Sequence, residues 1–275
     1  MNKLLLTVLL CIALGASCST VDTVNIYSNA MHREIKCVIV KPGTYLDQYR
    51  TFPVVYLLHG YSDRYDTWIR KVPALREYTD RYGMIIVCPD GGYSSWYFDS
   101  PLDTAYRFET FVSREVVAFV DKHYRTMASR EYRAITGLSM GGHGALFLAF
   151  RHAGTYGAAG SMSGGVDMRP FPDNWDIAKR IGDEKIFGKN WEAMSVVTVA
   201  DQLGANAPAL MIECGTDDFF FKVNLQLHHK LLAMKIPHDW VERPGQHSWD
   251  YWSNAVEYQL LFFHRYFTHP HPPLP

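Results

Sequence analysis

The sequence lacks an excess of charge of either sign: 27 Lys and Arg stand against 28 Asp and Glu, a net charge of −1 over 275 residues. It has no block of five like charges, which excludes the basic stripe that a nucleic-acid backbone requires and the polybasic patch of a membrane-surface protein. No nucleic-acid partner is expected. The five cysteines include no Cys-x-x-Cys pair and no metal-ligand spacing, so Cys37, Cys88 and Cys214, which lie in or at the end of apolar runs, read as small buried hydrophobes. No run of about 20 apolar residues is present, as a membrane-spanning helix would need. Internal repeats are also missing. What is abundant is apolar and aromatic side chain, 48% and 14% of the residues, which excludes a disordered chain and supplies a sizeable core.

Behind Lys3, the apolar run Leu4 to Ala16 ends in small residues, the layout of a secretory signal peptide over residues 1–18. Gly15-Ala16-Ser17-Cys18 resembles a bacterial lipoprotein cleavage site, at which Cys18 would become the lipid-anchored N-terminus, although Gly15 stands where Leu is usual. The protein is therefore expected to be exported, to the periplasm, the cell surface or the medium. The Pro-rich residues 269–275 read as a flexible tail.

Between these ends, residues 22–268 read as one α/β domain. Short β-branched runs alternate with amphipathic stretches, the pattern of a mostly parallel sheet with helices on both faces. Strands are predicted at Glu34 to Val40, Pro53 to Leu58, Met84 to Cys88, Tyr132 to Thr136, Gly157 to Ser161, Ala209 to Cys214 and His238 to Glu242. Helices are predicted at Phe108 to His123, Gly142 to His152, Lys222 to Met234 and Ser248 to Tyr266. Val166 to Pro208 breaks the rhythm with prolines and glycines and reads as a lid-like insertion.

Gly137-Leu138-Ser139-Met140-Gly141 is a G-x-S-x-G sequence placed after the apolar run Ala134 to Thr136 and before a helical pattern. That context puts Ser139 on a tight strand-to-helix turn at the sheet's C-terminal edge. A serine hydroxyl becomes nucleophilic only when a base takes its proton, and the base needs an acid to fix its tautomer. In chain order Ser, acid, His, the strand Ala209 to Cys214 leads into Gly215-Thr216-Asp217-Asp218, and the next strand leads into Gly245-Gln246-His247. His247 is the candidate base. Asp218 is favoured as the acid, with Asp217 as the alternative, whose other role would be to cap the following helix. An oxyanion needs two backbone N–H donors. Met140 supplies one, and Tyr61, after the turn at His59-Gly60, supplies the other. His59 is read as structural.

These segments, together with Pro89-Asp90-Gly91-Gly92 and Ser248-Trp249, occur in the order seen in the Putative esterase family of α/β-hydrolases, which the chain resembles over roughly residues 25–266. That family includes esterase D, the antigen 85 mycolyltransferases, tributyrin esterases and the family 1 carbohydrate esterases that remove feruloyl or acetyl groups from xylan. The resemblance implies an α/β-hydrolase fold and ester hydrolysis through an acyl-serine, with Asp218 as the acid after Gly-x-x and Tyr61 and Met140 as the oxyanion donors. No metal or organic cofactor is needed. Four aromatic rings lie between Tyr93 and Phe98. Trp96 and Tyr97 from this loop, with Trp175 from the insertion, are predicted to contact substrate at a pocket mouth. Export favours a polysaccharide ester as substrate. A general short-chain esterase, an acyltransferase and a catalytically silent carbohydrate-binding protein on the same fold are the other readings.

Overall fold

In a computed structural model that describes residues 18–269, eight strands form one sheet in the order β1-β2-β4-β3-β5-β6-β7-β8. The strands are β1 (Thr20–Ser28), β2 (Arg33–Lys41), β3 (Val54–Leu58), β4 (Ile85–Pro89), β5 (Arg133–Gly137), β6 (Ala158–Met162), β7 (Ala209–Gly215) and β8 (Asp239–Arg243). From β4 to β8 all neighbours are parallel, while β2 pairs antiparallel with both β1 and β4. Strands β3, β4, β5 and β6 are buried at every position, which is why they read as continuous apolar runs rather than as alternation.

Alternate residues of each strand feed opposite faces. Val54, Tyr56 and Leu58 join one hydrophobic cluster with Phe147 and Trp191. Val55 and Leu57 join the other, with Trp68, Leu75, Trp252 and Phe263. Helix Met140–Arg151 is buried from Met140 to Phe150, so it is apolar on all sides and lies sealed within the protein.

All seven strands predicted from the sequence are present within a residue or two. Strand β1 escaped prediction because it is an edge strand carrying Thr, Asp and Asn, with only Ile26 and Ser28 buried. Helices Thr67–Lys71 and Leu75–Tyr82 were also missed. Of the predicted helix Phe108 to His123, the middle, Phe111–Val116, is π-helical between α-helical Phe108–Thr110 and Val117–His123. The lid-like insertion, Val166 to Pro208, is largely helical: Ile177–Ile181, Glu184–Met194 and Val196–Val199. Its Ile177, Ile181, Trp191 and Val196 are fully buried, so prolines and glycines punctuate short helices there rather than forming an irregular strap. The predicted signal peptide lies outside the described residues except for Cys18, which is exposed. The predicted tail lies outside them beyond His269.

The chain leaves β3 for β4 on one side and then returns to β5 on the other. At such a switch point the connections leaving the two central strands diverge, opening a crevice beyond their carboxyl ends. His59 to Tyr61 follow β3 and Ser139 follows β5, so both face this crevice.

Candidate active site

Ser139 occupies the turn between β5 and helix Met140–Arg151 with φ 54° and ψ −117°, a conformation that costs a non-glycine residue about 1–3 kcal/mol. Neighbouring backbone holds it there. The Ser139 N–H donates to the Met162 carbonyl at 3.0 Å, and its carbonyl accepts from His143 N–H at 3.0 Å and Gly165 N–H at 3.3 Å. A Cβ on Gly141 would lie 2.5 Å from the Leu58 carbonyl oxygen, so only glycine lets this turn close against the end of β3. The residue as a whole is 9% exposed, less open than its place at the sheet edge led one to expect.

The structure brings Ser139, His247 and Asp218 together. His247 Nε2 lies 2.9 Å from Ser139 Oγ, and His247 Nδ1 lies 2.8 Å from Asp218 Oδ2. A carboxylate only accepts, so Nδ1 carries the hydrogen and Nε2 accepts from the serine hydroxyl. Asp218 is 5% exposed, and its other oxygen, Oδ1, accepts the Phe220 N–H at 2.8 Å. The capping role considered for Asp217 is taken by neither aspartate: the helix Phe221–Ala233 has no side-chain cap, and the Asp218 bond closes the turn just before it. The Asp217 side chain is exposed, but its N–H donates to Gly245 O at 2.9 Å while Thr216 N–H donates to Arg243 O at 2.9 Å. These two bonds lock the acid loop to the histidine loop. Ser248 caps the last helix by accepting from Tyr251 N–H, which fixes the chain immediately after His247.

Deeper in the sheet a buried polar cluster supports the same loops. Glu213 in β7 pairs with Arg243 at the end of β8 and accepts from Gln259 Nε2 at 3.0 Å. Gln259 in turn accepts from Thr136 Oγ1 of β5 at 3.0 Å. Burial pushes the Glu213 carboxyl up to about 7, against the lowering influence of Gln259 and Arg243.

Met140, the first residue of its helix, has an N–H without an intrahelical acceptor, and the Tyr61 N–H finds no backbone acceptor among the described residues. Gly60, just before Tyr61, approaches so closely that a Cβ there would sit 2.5 Å from Leu138 Cδ1 and 3.6 Å from Ser139 Cβ. His59 is buried, with Nδ1 2.8 Å from Gly60 O and Nε2 accepting Gly91 N–H at 2.7 Å. Burial lowers its pKa and keeps it neutral, so the ring ties the loop after β3 to the loop after β4.

Two of the residues predicted to contact substrate do not reach the surface. Trp96 is 1% exposed and Tyr97 fully buried. The Tyr97 hydroxyl donates to His59 O at 3.0 Å, and the Trp96 indole N–H donates to Trp175 O at 3.1 Å. The loop turns inward because Trp96 and Tyr97 both adopt left-handed φ, 54° and 60°, which drives the rings against helix Met140–Arg151. They support the loops around the site instead of forming its mouth. Trp175 is half-buried and borders the site, stacked on Phe219 with ring centroids 5.5 Å apart and planes 19° apart. Phe219 is 50% exposed and lies 4.2 Å from the His247 ring. Tyr93, 57% exposed, packs edge-on against Tyr61 at 4.9 Å. Phe219 was not singled out in the sequence, although a ring directly after the acid, on the loop that also presents it, was a usable signal.

Comparison with known proteins agrees with this geometry. Residues 28–263 match the model of the Putative esterase family. An acetyl esterase of Caldicellulosiruptor saccharolyticus is 26% identical over 252 residues, covering 85% of this chain and 94% of its own. The diacylglycerol acyltransferase/mycolyltransferase Ag85B of Mycobacterium leprae is 27% identical over 287 residues, covering 87% of this chain and 83% of its own. A solved ferulic acid esterase superposes with a TM-score of 0.78 at 28% identity, covering 91% of this chain and 99% of that one.

Proposed function

The chain belongs to the Putative esterase family and is a carboxylic ester hydrolase, and from that premise we propose that it removes feruloyl or acetyl groups from plant polysaccharide through an acyl-serine at Ser139. The observation that carries the mechanism is the continuous relay of hydrogen bonds from Ser139 through His247 to Asp218, at 2.9 and 2.8 Å. Ser139 Oγ attacks the ester carbonyl while His247 Nε2 takes its proton, and Asp218 holds the ring in the tautomer that can accept it. Charge that gathers on the carbonyl oxygen is met by the Met140 and Tyr61 N–H groups. His247 then passes its proton to the departing alkoxide. Water then attacks the acyl carbon as His247 Nε2 takes its proton, and the bond to Ser139 Oγ breaks as His247 returns that proton to Oγ, releasing the acid.

The identities of the acetyl esterase and ferulic acid esterase relatives support the acyl groups named, and the exposed rings of Tyr93 and Phe219 beside the site favour a substrate with flat surfaces. Export, with Cys18 as a lipid-bearing N-terminus, would place the enzyme where such polymers are met; mass spectrometry of the N-terminal peptide from cells that make the full chain reads this directly. The test of the reaction is acid release by the purified protein from feruloylated arabinoxylan oligosaccharides, acetylated xylan and tributyrin, with Ser139→Ala as the blank. Ser139→Ala should lower kcat by about 10^4 to 10^6 without loss of folding. Release from tributyrin alone would reduce the activity to a general short-chain esterase. A second reading, acyl transfer to a sugar hydroxyl, is favoured by the mycolyltransferase relative; a sugar acceptor that diverts product from free acid to a new ester would establish it.

A further inference from the structure

We infer that the stacked rings of Trp175 and Phe219 form the subsite for the departing alcohol, and that this subsite takes a sugar ring. The inference rests on the ester-hydrolysis reading above and assigns which part of the substrate meets which wall of the site. Acylation ends when His247 Nε2 hands its proton to the leaving oxygen, so the alcohol must lie against the open side of the His247 ring. Phe219 flanks that ring, its centroid 4.2 Å from that of His247 with the planes inclined at 37°. Trp175 stacks on Phe219, with centroids 5.5 Å apart and planes inclined by 19°. Together the two offset-stacked rings make an aromatic wall beginning at the base itself.

The face is held in place. Phe171 and the fully buried Phe220 brace Trp175, at 5.4 and 5.1 Å between centroids. The backbone that carries Trp175 is strained at two successive non-glycine residues, Trp175 and Asp176, with φ of 51° and 58°. Such strain persists only where the surroundings over-determine it, and here both flanks are tied. The Trp175 carbonyl accepts the Trp96 indole N–H, and the Asp176 carboxylate accepts the Tyr61 hydroxyl at 3.2 Å. The loop that presents Trp175 is therefore fastened to the same Tyr61 loop that faces Ser139.

The chemistry of the occupant follows from the surface. The faces of aromatic rings carry negative charge density. A sugar has one face of C–H bonds, weakly positive, and a rim of hydroxyls that stay in water. An aromatic wall with the Phe219 ring half-exposed fits that shape, whereas an aliphatic alcohol is better held by an enclosed groove.

The test keeps the acid fixed and varies the alcohol. Rates are measured on feruloylated arabinoxylan oligosaccharide and methyl ferulate, and on acetylated xylo-oligosaccharide and ethyl acetate, for wild type, Trp175→Ala, Phe219→Ala and the ring-retaining Trp175→Phe. The ratio of kcat/KM for sugar ester over simple ester should fall tenfold or more in Trp175→Ala and Phe219→Ala, mainly through KM on the sugar ester. Trp175→Phe, which keeps a stacking ring in place, should restore the ratio to within about threefold of wild type. A ratio within twofold of wild type in the alanine variants, or equal losses on both esters, would overturn the assignment, because the rings would then serve the acyl group or His247 alone. Wild type that cleaves only the simple esters would also overturn it while leaving ester hydrolysis standing. Wild type inactive on all four would instead sink the reaction itself.

Discussion

Two adjacent aspartates follow β7, and only side-chain direction separates them. Asp218 turns both oxygens inward, to His247 Nδ1 and to Phe220 N–H, while Asp217 turns outward and contributes its backbone. In Asp218→Asn the carbonyl oxygen would stay on Phe220 N–H, leaving the amide nitrogen to donate to His247 Nδ1. His247 would then carry its hydrogen on Nε2 and could not accept from Ser139, so kcat should fall on the order of 10^4-fold. Asp217→Asn leaves the N–H bond to Gly245 intact and should cost less than about tenfold by the same comparison. Steady-state kinetics of the two variants decides between them, and equal losses would show that neither acts as the partner of His247. Gly141→Ala tests the turn itself: a methyl 2.5 Å from Leu58 O has to push β3 and the helix apart, a loss of about 2 kcal/mol or more that a thermal melt should detect. The serine, base and acid were readable in the sequence because chemistry dictates residue type, chain order and turn glycines together. Trp96 and Tyr97 were misread because exposure depends on what packs above a ring, and no local signal in that loop distinguishes a pocket mouth from a core.

Among the elements, buried parallel strands announce themselves as unbroken apolar runs, whereas β1 and the short helices of the insertion carry weak, interrupted patterns. Glu213 shows what such pattern reading leaves out. It sits in the middle of β7, fully buried within an apolar run, and its role is visible only when Arg243 and Gln259 from two other elements converge on it, with Thr136 of a third holding Gln259. Burial raises its carboxyl to about 7 from an ordinary 4.5, so the folded protein holds this proton more tightly than the unfolded chain. Below pH 4.5 both states are protonated and the full contribution is present. As the pH rises from 4.5 to 7 the unfolded chain ionises first, and stability falls by about 3 kcal/mol. Glu213→Gln keeps a neutral side chain of the same shape, so its stability relative to wild type should climb over that interval and level off above pH 7. Urea unfolding at pH 4.5, 6 and 8 measures this. A difference that stays constant with pH would show that Glu213 titrates normally.

For the whole molecule, what positions the site is the strand order. The sequence predicts the strands but not that β4 and β5 lie on opposite sides of β3, and that arrangement is what opens the crevice holding Gly60, Tyr61 and Ser139. It also makes the two faces of the protein interdependent. Successive residues of β3 go to different clusters, Tyr56 to one and Val55 and Leu57 to the other, so neither cluster can be lost without exposing the sheet that the other packs on. The insertion is part of the same unit, because Trp191 and Val196 belong to the cluster built on Tyr56 and Phe147, and Val197 N–H donates to Val166 O at 3.1 Å. Hydrogen exchange across a urea series should therefore show the amides of Glu184–Met194, on one face, and of Trp249–Thr268, on the other, losing protection at the same denaturant concentration as those of β5. If Glu184–Met194 exchanges freely at low urea while β5 stays protected, the insertion opens independently as a lid. Substrate access would then depend on that motion, and the aromatic face at Trp175 would form and dissolve with it.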